Sequence, residues 1–154
     1  MKIKFLDGSE KEFNSLIRAN LSKADLSRAN LYRANLYRAN LSGAIDIPKL
    51  IAAQLSITPK GNLVGWKKCR DKVIVKLLVP QRARRSNATG RKCRAEYVQV
   101  LKIFGAEIGI SNYCINTIYR VGKEVRCDEW NEDRWQECGG GIHFFLTREE
   151  AENY

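Results

Sequence analysis

Ala19-Asn20-Leu21-Ser22-Lys23, Ala24-Asp25-Leu26-Ser27-Arg28, Ala29-Asn30-Leu31-Tyr32-Arg33, Ala34-Asn35-Leu36-Tyr37-Arg38 and Ala39-Asn40-Leu41-Ser42-Gly43 repeat one pattern every five positions. A looser unit, Asn14-Ser15-Leu16-Ile17-Arg18, precedes them, and the pattern ends at Ala44-Ile45. A period of five matches neither a helix nor a flat strand, whose side chains recur about every 3.6 and about every 2 positions. A chain that turns a corner every five residues does match it. The small Ala and the apolar Leu of each unit then point inward, and the other three positions face out. Upstream, Ile3-Lys4-Phe5-Leu6-Asp7-Gly8-Ser9-Glu10-Lys11-Glu12-Phe13 sets Asp7-Gly8 between apolar residues, the signal of a β-hairpin. Residues 1–13 are therefore predicted to cap the coil.

With its A-(D/N)-L-x-x signature, the stretch 14–45 resembles the pentapeptide-repeat family. The resemblance implies a right-handed quadrilateral β-helix with one unit on each side. Six units make about one and a half turns, and such a stub buries little alone because a solenoid needs stacked neighbours and capped ends. Mating of two open ends would bury Ala and Leu, so a homo-oligomer through the repeat end is expected, with a self-capped monomer as the alternative. Arg18, Lys23, Arg28, Arg33 and Arg38 close successive units, and Asp25 alone opposes them. That sign is opposite to the long acidic members that resemble duplex DNA. Tyr32 and Tyr37 add flat contact residues to this basic girdle, for nucleic acid or an acidic protein. Solubilising, edge-blocking arginines are the other reading.

The whole chain has 154 residues, with 27 Lys+Arg, 17 Asp+Glu and a net charge of +10. Hydrophobic residues make up 44%, enough for a packed core, which argues against global disorder. No stretch approaches the ~20 apolar residues of a membrane helix, and residues 1–7 lack a long apolar run. A cytoplasmic protein with no membrane partner is expected. The charge is uneven: +4 over residues 1–45, +11 over 46–102 and −5 over 103–154. A basic middle before an acidic end suggests a surface for an anionic partner, or pairing of the two regions with each other. The five cysteines, at 69, 93, 114, 127 and 138, contain no C-x-x-C, and His143 is the single histidine. This predicts neither a disulfide framework nor a metal site, unless Cys93, Cys127 and Cys138 converge in space. No cofactor is expected.

Residues 46–62, with Pro48, Pro59 and Gly61 around a short apolar run, predict a connector with one or two helical turns. The pattern then turns β-rich. Strands are predicted at 63–69 and 72–79, paired around Arg70-Asp71, at 95–104, and more briefly at 118–121 and 142–146. A terminal helix over 147–152 starts at a capping box of Thr147 and Glu150. The expected fold class is mainly β: a short quadrilateral repeat β-helix followed by a small antiparallel β-rich α+β domain over 63–154.

Gln81-Arg82-Ala83-Arg84-Arg85-Ser86-Asn87-Ala88-Thr89-Gly90-Arg91-Lys92-Cys93-Arg94 holds six cations and no anion in 14 residues. Ser86, Asn87, Thr89 and Gly90 suit a tight turn with exposed backbone amides. Guanidinium groups beside free amides make a receptor for phosphate or carboxylate. Arg82, Arg84, Arg85, Asn87, Arg91, Lys92 and Arg94 are therefore the candidate anion- or nucleotide-binding residues. A solvated hairpin loop is the alternative. Trp130 and Trp135 lie in the acidic segment 127–138, as a protein-facing patch or as anchors to the core.

Residues 60–154 resemble an uncharacterised domain found behind short pentapeptide repeats in phage and prophage proteins. Gly65-Trp66-Lys67-Lys68, Ala83-Arg84-Arg85-Ser86, Gly90-Arg91-Lys92-Cys93-Arg94-Ala95-Glu96, Tyr119-Arg120-Val121-Gly122 and Gly141-Ile142-His143-Phe144-Phe145-Leu146-Thr147 carry the likeness. It implies a phage-type accessory binding protein. The expected partner is anionic: a nucleotide, a nucleic acid or an acidic protein surface. Inhibition of a host defence system, or capture of a nucleotide messenger, fits such a gene. A structural protein that assembles through its repeat is a further alternative. Gly139-Gly140-Gly141-Ile142-His143-Phe144-Phe145, followed by Ala151 and Tyr154, is also similar to the G-x-G-I-Y-F…A-x-Y segment of poly-ADP-ribosyltransferases. That similarity makes Tyr119, Arg120 and His143 a secondary site and a transferase-like enzyme the runner-up. Eleven residues follow His143, too few for the later strand that carries that family's catalytic glutamate, so no catalytic residue is expected.

Overall fold

A computed structural model describes residues 1–154. The chain forms two compact units, neither continuous in sequence. The first comprises Met1–Ile57, Asn87–Arg91 and Asn131–Gly139, and the second Thr58–Ser86, Lys92–Trp130 and Gly140–Tyr154. The fold is mainly β, with antiparallel sheets and two short α-helices. No helix is long and apolar enough to cross a membrane.

The first unit begins with the expected hairpin. Strands β1 (Lys2–Phe5) and β2 (Glu10–Glu12) pair antiparallel, and Asp7 Oδ1 accepts hydrogen bonds from the Ser9 N–H and hydroxyl in the turn. The far edge of β1 pairs with β3 (Ala24–Asp25), inside the repeat. Each position of the pentapeptide then has a local cause. Leu16, Leu21, Leu26, Leu31, Leu36 and Leu41 are all buried. Asn20, Asp25, Asn30, Asn35 and Asn40 each accept, through the side-chain oxygen, from the backbone N–H two residues on, at 2.9–3.2 Å. These short turns explain why the second residue is Asn or Asp. The fifth residue is left-handed in all but one unit: Arg18, Lys23, Arg33 and Arg38 take φ of 56° to 59° and Gly43 takes 65°, whereas Arg28 does not take a positive φ.

The repeat also bonds to itself. Leu21 N–H donates to Asn40 O at 2.8 Å, Asn40 N–H to Ala19 O at 2.9 Å and Ile45 N–H to Ala24 O at 2.9 Å. Asn20 with Asn40, and Asp25 with Ile45, are parallel bridges between residues twenty apart. Residues 38–43 also bond to other parts of the unit. Arg38 N–H donates to Thr89 O, and Thr89 Oγ1 donates to Ala39 O at 2.6 Å. Asp133 accepts from the Ser42 hydroxyl and the Gly43 N–H. Helix α1 (Lys49–Gln54) adds Ile51 to the leucine core, and Trp135 packs against that core. Arg134 ties these pieces together, donating to Ala52 O and Asn87 O while its guanidinium lies 4.4 Å from the Trp135 ring centre.

The second unit is built on a four-stranded antiparallel sheet. Its order is β11 (Glu124–Arg126), β8 (Tyr97–Phe104), β5 (Ile74–Val79) and β4 (Leu63–Lys68). A second sheet orders β12 (Ile142–Phe144), β7 (Cys93–Ala95) and β6 (Arg85–Asn87), and β9 (Gly109–Ile110) pairs with β10 (Ile118–Tyr119). Strand β4 alternates, with Leu63, Gly65 and Lys67 buried and Val64, Trp66 and Lys68 on the more open face. Gly65 has a steric cause, since a Cβ there would sit 2.5 Å from the Phe144 ring. Helix α2 (Arg148–Glu152) carries the expected capping box. The predicted strand over 95–104 is in fact two strands, β7 ending at Ala95 and β8 starting at Tyr97. The predicted strand over 118–121 is two residues long.

Replacing Thr89 by Val should leave the Ala39 carbonyl without its donor. The expected cost is about 1–3 kcal/mol, read as a lower urea midpoint with an unchanged slope. At a repeat corner, Arg33→Gly should stay within about 0.5 kcal/mol of wild type, whereas the β-branched Arg33→Val should cost about 1–2 kcal/mol by the same measurement.

Candidate anion site at two buried lysines

The basic segment 81–94 does not fold as one exposed loop. Arg82 and Arg91 are exposed. Arg84 pairs with Glu96, at 3.2 Å, and lies over the Trp130 ring. The hydrogen bond from Arg84 holds the Glu96 carboxyl below its usual range, helped by the charge of Arg126. Arg85 turns back to donate to Pro80 O and Gln81 O. Asn87 is buried, where its amide donates to Leu55 O and its oxygen accepts from Ile57 N–H. Ala88, Thr89 and Gly90 are buried as well, so the exposed amides expected there are not present. Arg94 is 1% exposed, donating to Gly140 O at 2.6 Å with its guanidinium 4.9 Å from the Trp130 ring centre. The expected single receptor is thus dispersed: Arg84, Arg85 and Arg94 are engaged with a carboxylate, backbone carbonyls and a ring, while Arg82 and Arg91 are exposed.

Lys92 is the exception that gathers chemistry. It is 7% exposed, and its ammonium donates to the Tyr154 hydroxyl at 3.2 Å and lies over that ring. Close to it is Lys67, from the buried face of β4, at 8% exposure. Lys67 Nζ donates to His143 O at 3.2 Å and lies 5.8 Å from the Tyr119 ring centre. Two members of the expected secondary site, Tyr119 and His143, therefore meet Lys67, which the sequence did not single out and which lies near Lys92 of the primary one. His143 contributes here through its carbonyl, and Arg120 is exposed and does not line the cavity. That cavity, about 20 Å³, is walled by Lys67, Lys68, Asn112, Tyr113, His143, Phe145 and Tyr154. It has room for about one water molecule or one oxygen of a ligand. Burial pushes the Lys67 ammonium toward its neutral form, and the charge of Lys92 adds to that push. No carboxylate pairs with Lys67. Burial also raises the Cys69 thiol to about 11 and keeps the Tyr119 hydroxyl protonated. Lys67 carried no special signal in the sequence, where alternation alone marks it as inward-facing.

On the repeat, Arg18, Lys23, Arg28, Arg33 and Arg38 are all exposed. Arg33 lies over the Tyr32 ring and Arg38 over the Tyr37 ring, so each cation is partnered locally. No three His, Cys, Asp or Glu side chains are grouped as a metal would need.

Residues 53–151, well over half of the chain, match a family described as a family of unknown function, DUF5758. The chain belongs to that family. Residues 15–45 match pentapeptide repeats, so this member of DUF5758 is a repeat protein with the family domain C-terminal to the repeats. No curated protein and no solved structure matches it. Lys67, Lys92, Tyr119 and His143 fall within the DUF5758 span, Tyr154 lies just beyond it, and residues 87–91 and 131–139 that complete the first unit also fall within it.

A buried ammonium without a countercharge costs stability, so Lys67→Met should raise stability by about 1 kcal/mol at neutral pH, a melting shift of about 3 °C. The sign of the pH dependence follows from the lowered proton affinity in the fold. Between the folded value and the unfolded value of about 10.4, the unfolded chain binds more protons, so wild-type stability rises with pH. The advantage of Lys67→Met, measured by denaturation at a series of pH values, should therefore shrink as pH rises toward about 10.

Proposed function

We propose that this protein is a non-catalytic binding protein whose second unit receives an anionic group at Lys67 and Lys92. In this reading residues 14–45 form a right-handed four-sided β-helix stub that serves as a platform. Hydrogen bonds between residues about twenty apart, and left-handed backbone at the fifth position of every unit except the one ending at Arg28, support that geometry. Both ends of the stub meet elements of the same chain, which favours the self-capped arrangement over pairing of two copies.

The observation that carries the anion reading is Lys67. Its nearest partners are a carbonyl and an aromatic ring, both neutral. Keeping a charged amine there is costly, and such a cost is typical of a residue held for binding. A ligand oxyanion would supply the missing charge and return the ammonium to its charged form. Tyr113 and Tyr154 at the cavity offer ring faces for a flat group attached to that anion. A nucleotide has both parts. The likeness to phage accessory proteins supports a role in countering a host defence, by occupying a partner's acidic site or by capturing a nucleotide.

Thermal melting in the presence of inorganic phosphate, sulfate and adenosine monophosphate tests this. A ligand at about 100 times its Kd stabilises by about 2.7 kcal/mol, so the melting temperature should climb by several degrees with the logarithm of concentration. Lys67→Met and Lys92→Met should each abolish the climb while the proteins remain folded. Absence of any shift at millimolar ligand, or a shift that survives both substitutions, would reject the site.

A further inference from the structure

The opposite face of the same sheet presents a second, separate feature. Across three strands, Trp66, Lys76 and Lys102 stand in register, and Lys68, Ile74 and Phe104 form the next row on that face. The Trp66 and Phe104 ring centres are 6.0 Å apart. Lys76 lies 5.5 Å from the Trp66 centre and Lys102 5.1 Å from the Phe104 centre. Arg148, at the start of α2, lies over both rings. A groove of about 470 Å³ continues this face, with Lys68, Lys72, Phe104 and Arg148 on its walls.

Five cations thus surround two partly open aromatic rings. The one carboxylate in the groove, Glu152, is tied to Arg148 at 2.6 Å. Lys68, Lys72, Lys76 and Lys102 form no ion pair. Like charges facing each other across neighbouring strands, as Lys76 and Lys102 do, are destabilising unless an anion lies over them. We propose that this outer sheet face binds single-stranded nucleic acid, with phosphates along the lysines and bases against Trp66 and Phe104. The charge calls for a polyanion. The rings select among polyanions, because unpaired bases stack on aromatic faces whatever their sequence, while an acidic peptide gains nothing from them. A duplex hides its base faces, which leaves the single strand as the occupant.

Fluorescence anisotropy of a labelled oligothymidylate of about twelve nucleotides provides the test. Binding should be salt-sensitive, falling by about 0.7 in log affinity per log salt for each phosphate contact. The double substitution Lys76→Gln and Lys102→Gln should weaken binding at least tenfold at low salt and reduce the salt slope by about 1.4, for two lost contacts. Trp66→Leu should weaken binding about tenfold with little change in that slope, a signature of stacking. Lys67→Met, on the buried face, should leave oligothymidylate binding unchanged, so this surface and the lysine cavity succeed or fail independently. No binding at low salt, or equal binding by the Lys76/Lys102 variant, would overturn the proposal. Equal competition by poly-glutamate of matched charge would overturn it too, in favour of an acidic protein partner.

Discussion

A repeat of six pentapeptides has more end than interior, and that constraint organises the first unit. Units at the ends of so short a repeat have backbone donors and acceptors that no further repeat can pair. Buried groups of that kind must be paired. On one side β1 meets Ala24–Asp25. On the other, Thr89 meets Arg38 and Ala39, and Asp133 meets Ser42 and Gly43. The chain therefore leaves the first unit, builds most of the second, and returns twice. The discontinuous composition of both units follows directly.

The same economy governs the positive charge. A chain at +10 would normally hold its cations in water. Here Arg94, Lys92 and Arg134 are turned inward or half-buried, and backbone carbonyls, a hydroxyl and ring faces are among their partners. Carbonyl dipoles and aromatic quadrupoles stabilise a guanidinium without a second desolvated ion. Burial lowers the proton affinity of Lys67, held by one carbonyl and one ring, and of Arg134 as well. The basic character read from composition thus divides into a few inward-turned cations and a larger exposed set, spread over the repeat and the second unit.

Much of the first unit was legible because its physics is local. Burial of Leu, the Asn or Asp turn and the left-handed corner each involve residues within a few positions of one another, so the period announces them. The hairpin at Asp7-Gly8, the β4–β5 pair and the capping box at Thr147 and Glu150 are local in the same sense. The candidate site was far less legible. A cluster of cations in sequence suggested a cluster in space, but Arg85 turns to Pro80 and Gln81, Lys92 to Tyr154, and Arg94 to Gly140 and Trp130. Thr89 and Asn87 looked like turn residues with free amides and are instead buried partners of residues 30 to 50 positions away. Lys67 and His143 meet across 76 positions, a proximity that no short-range pattern encodes. Strands β9 and β10, two residues each, are too brief to show a period.

The register of the repeat gives its length a phase. Bridged residues lie twenty apart, which is four pentapeptides. In the proposed four-sided coil, one extra unit would add a single side and turn a different side toward Thr89 and Asp133, whereas four extra units would bring the original side back, one storey higher. In that geometry growth or shrinkage of the stub comes in whole turns, and the residues that close it count pentapeptides modulo four.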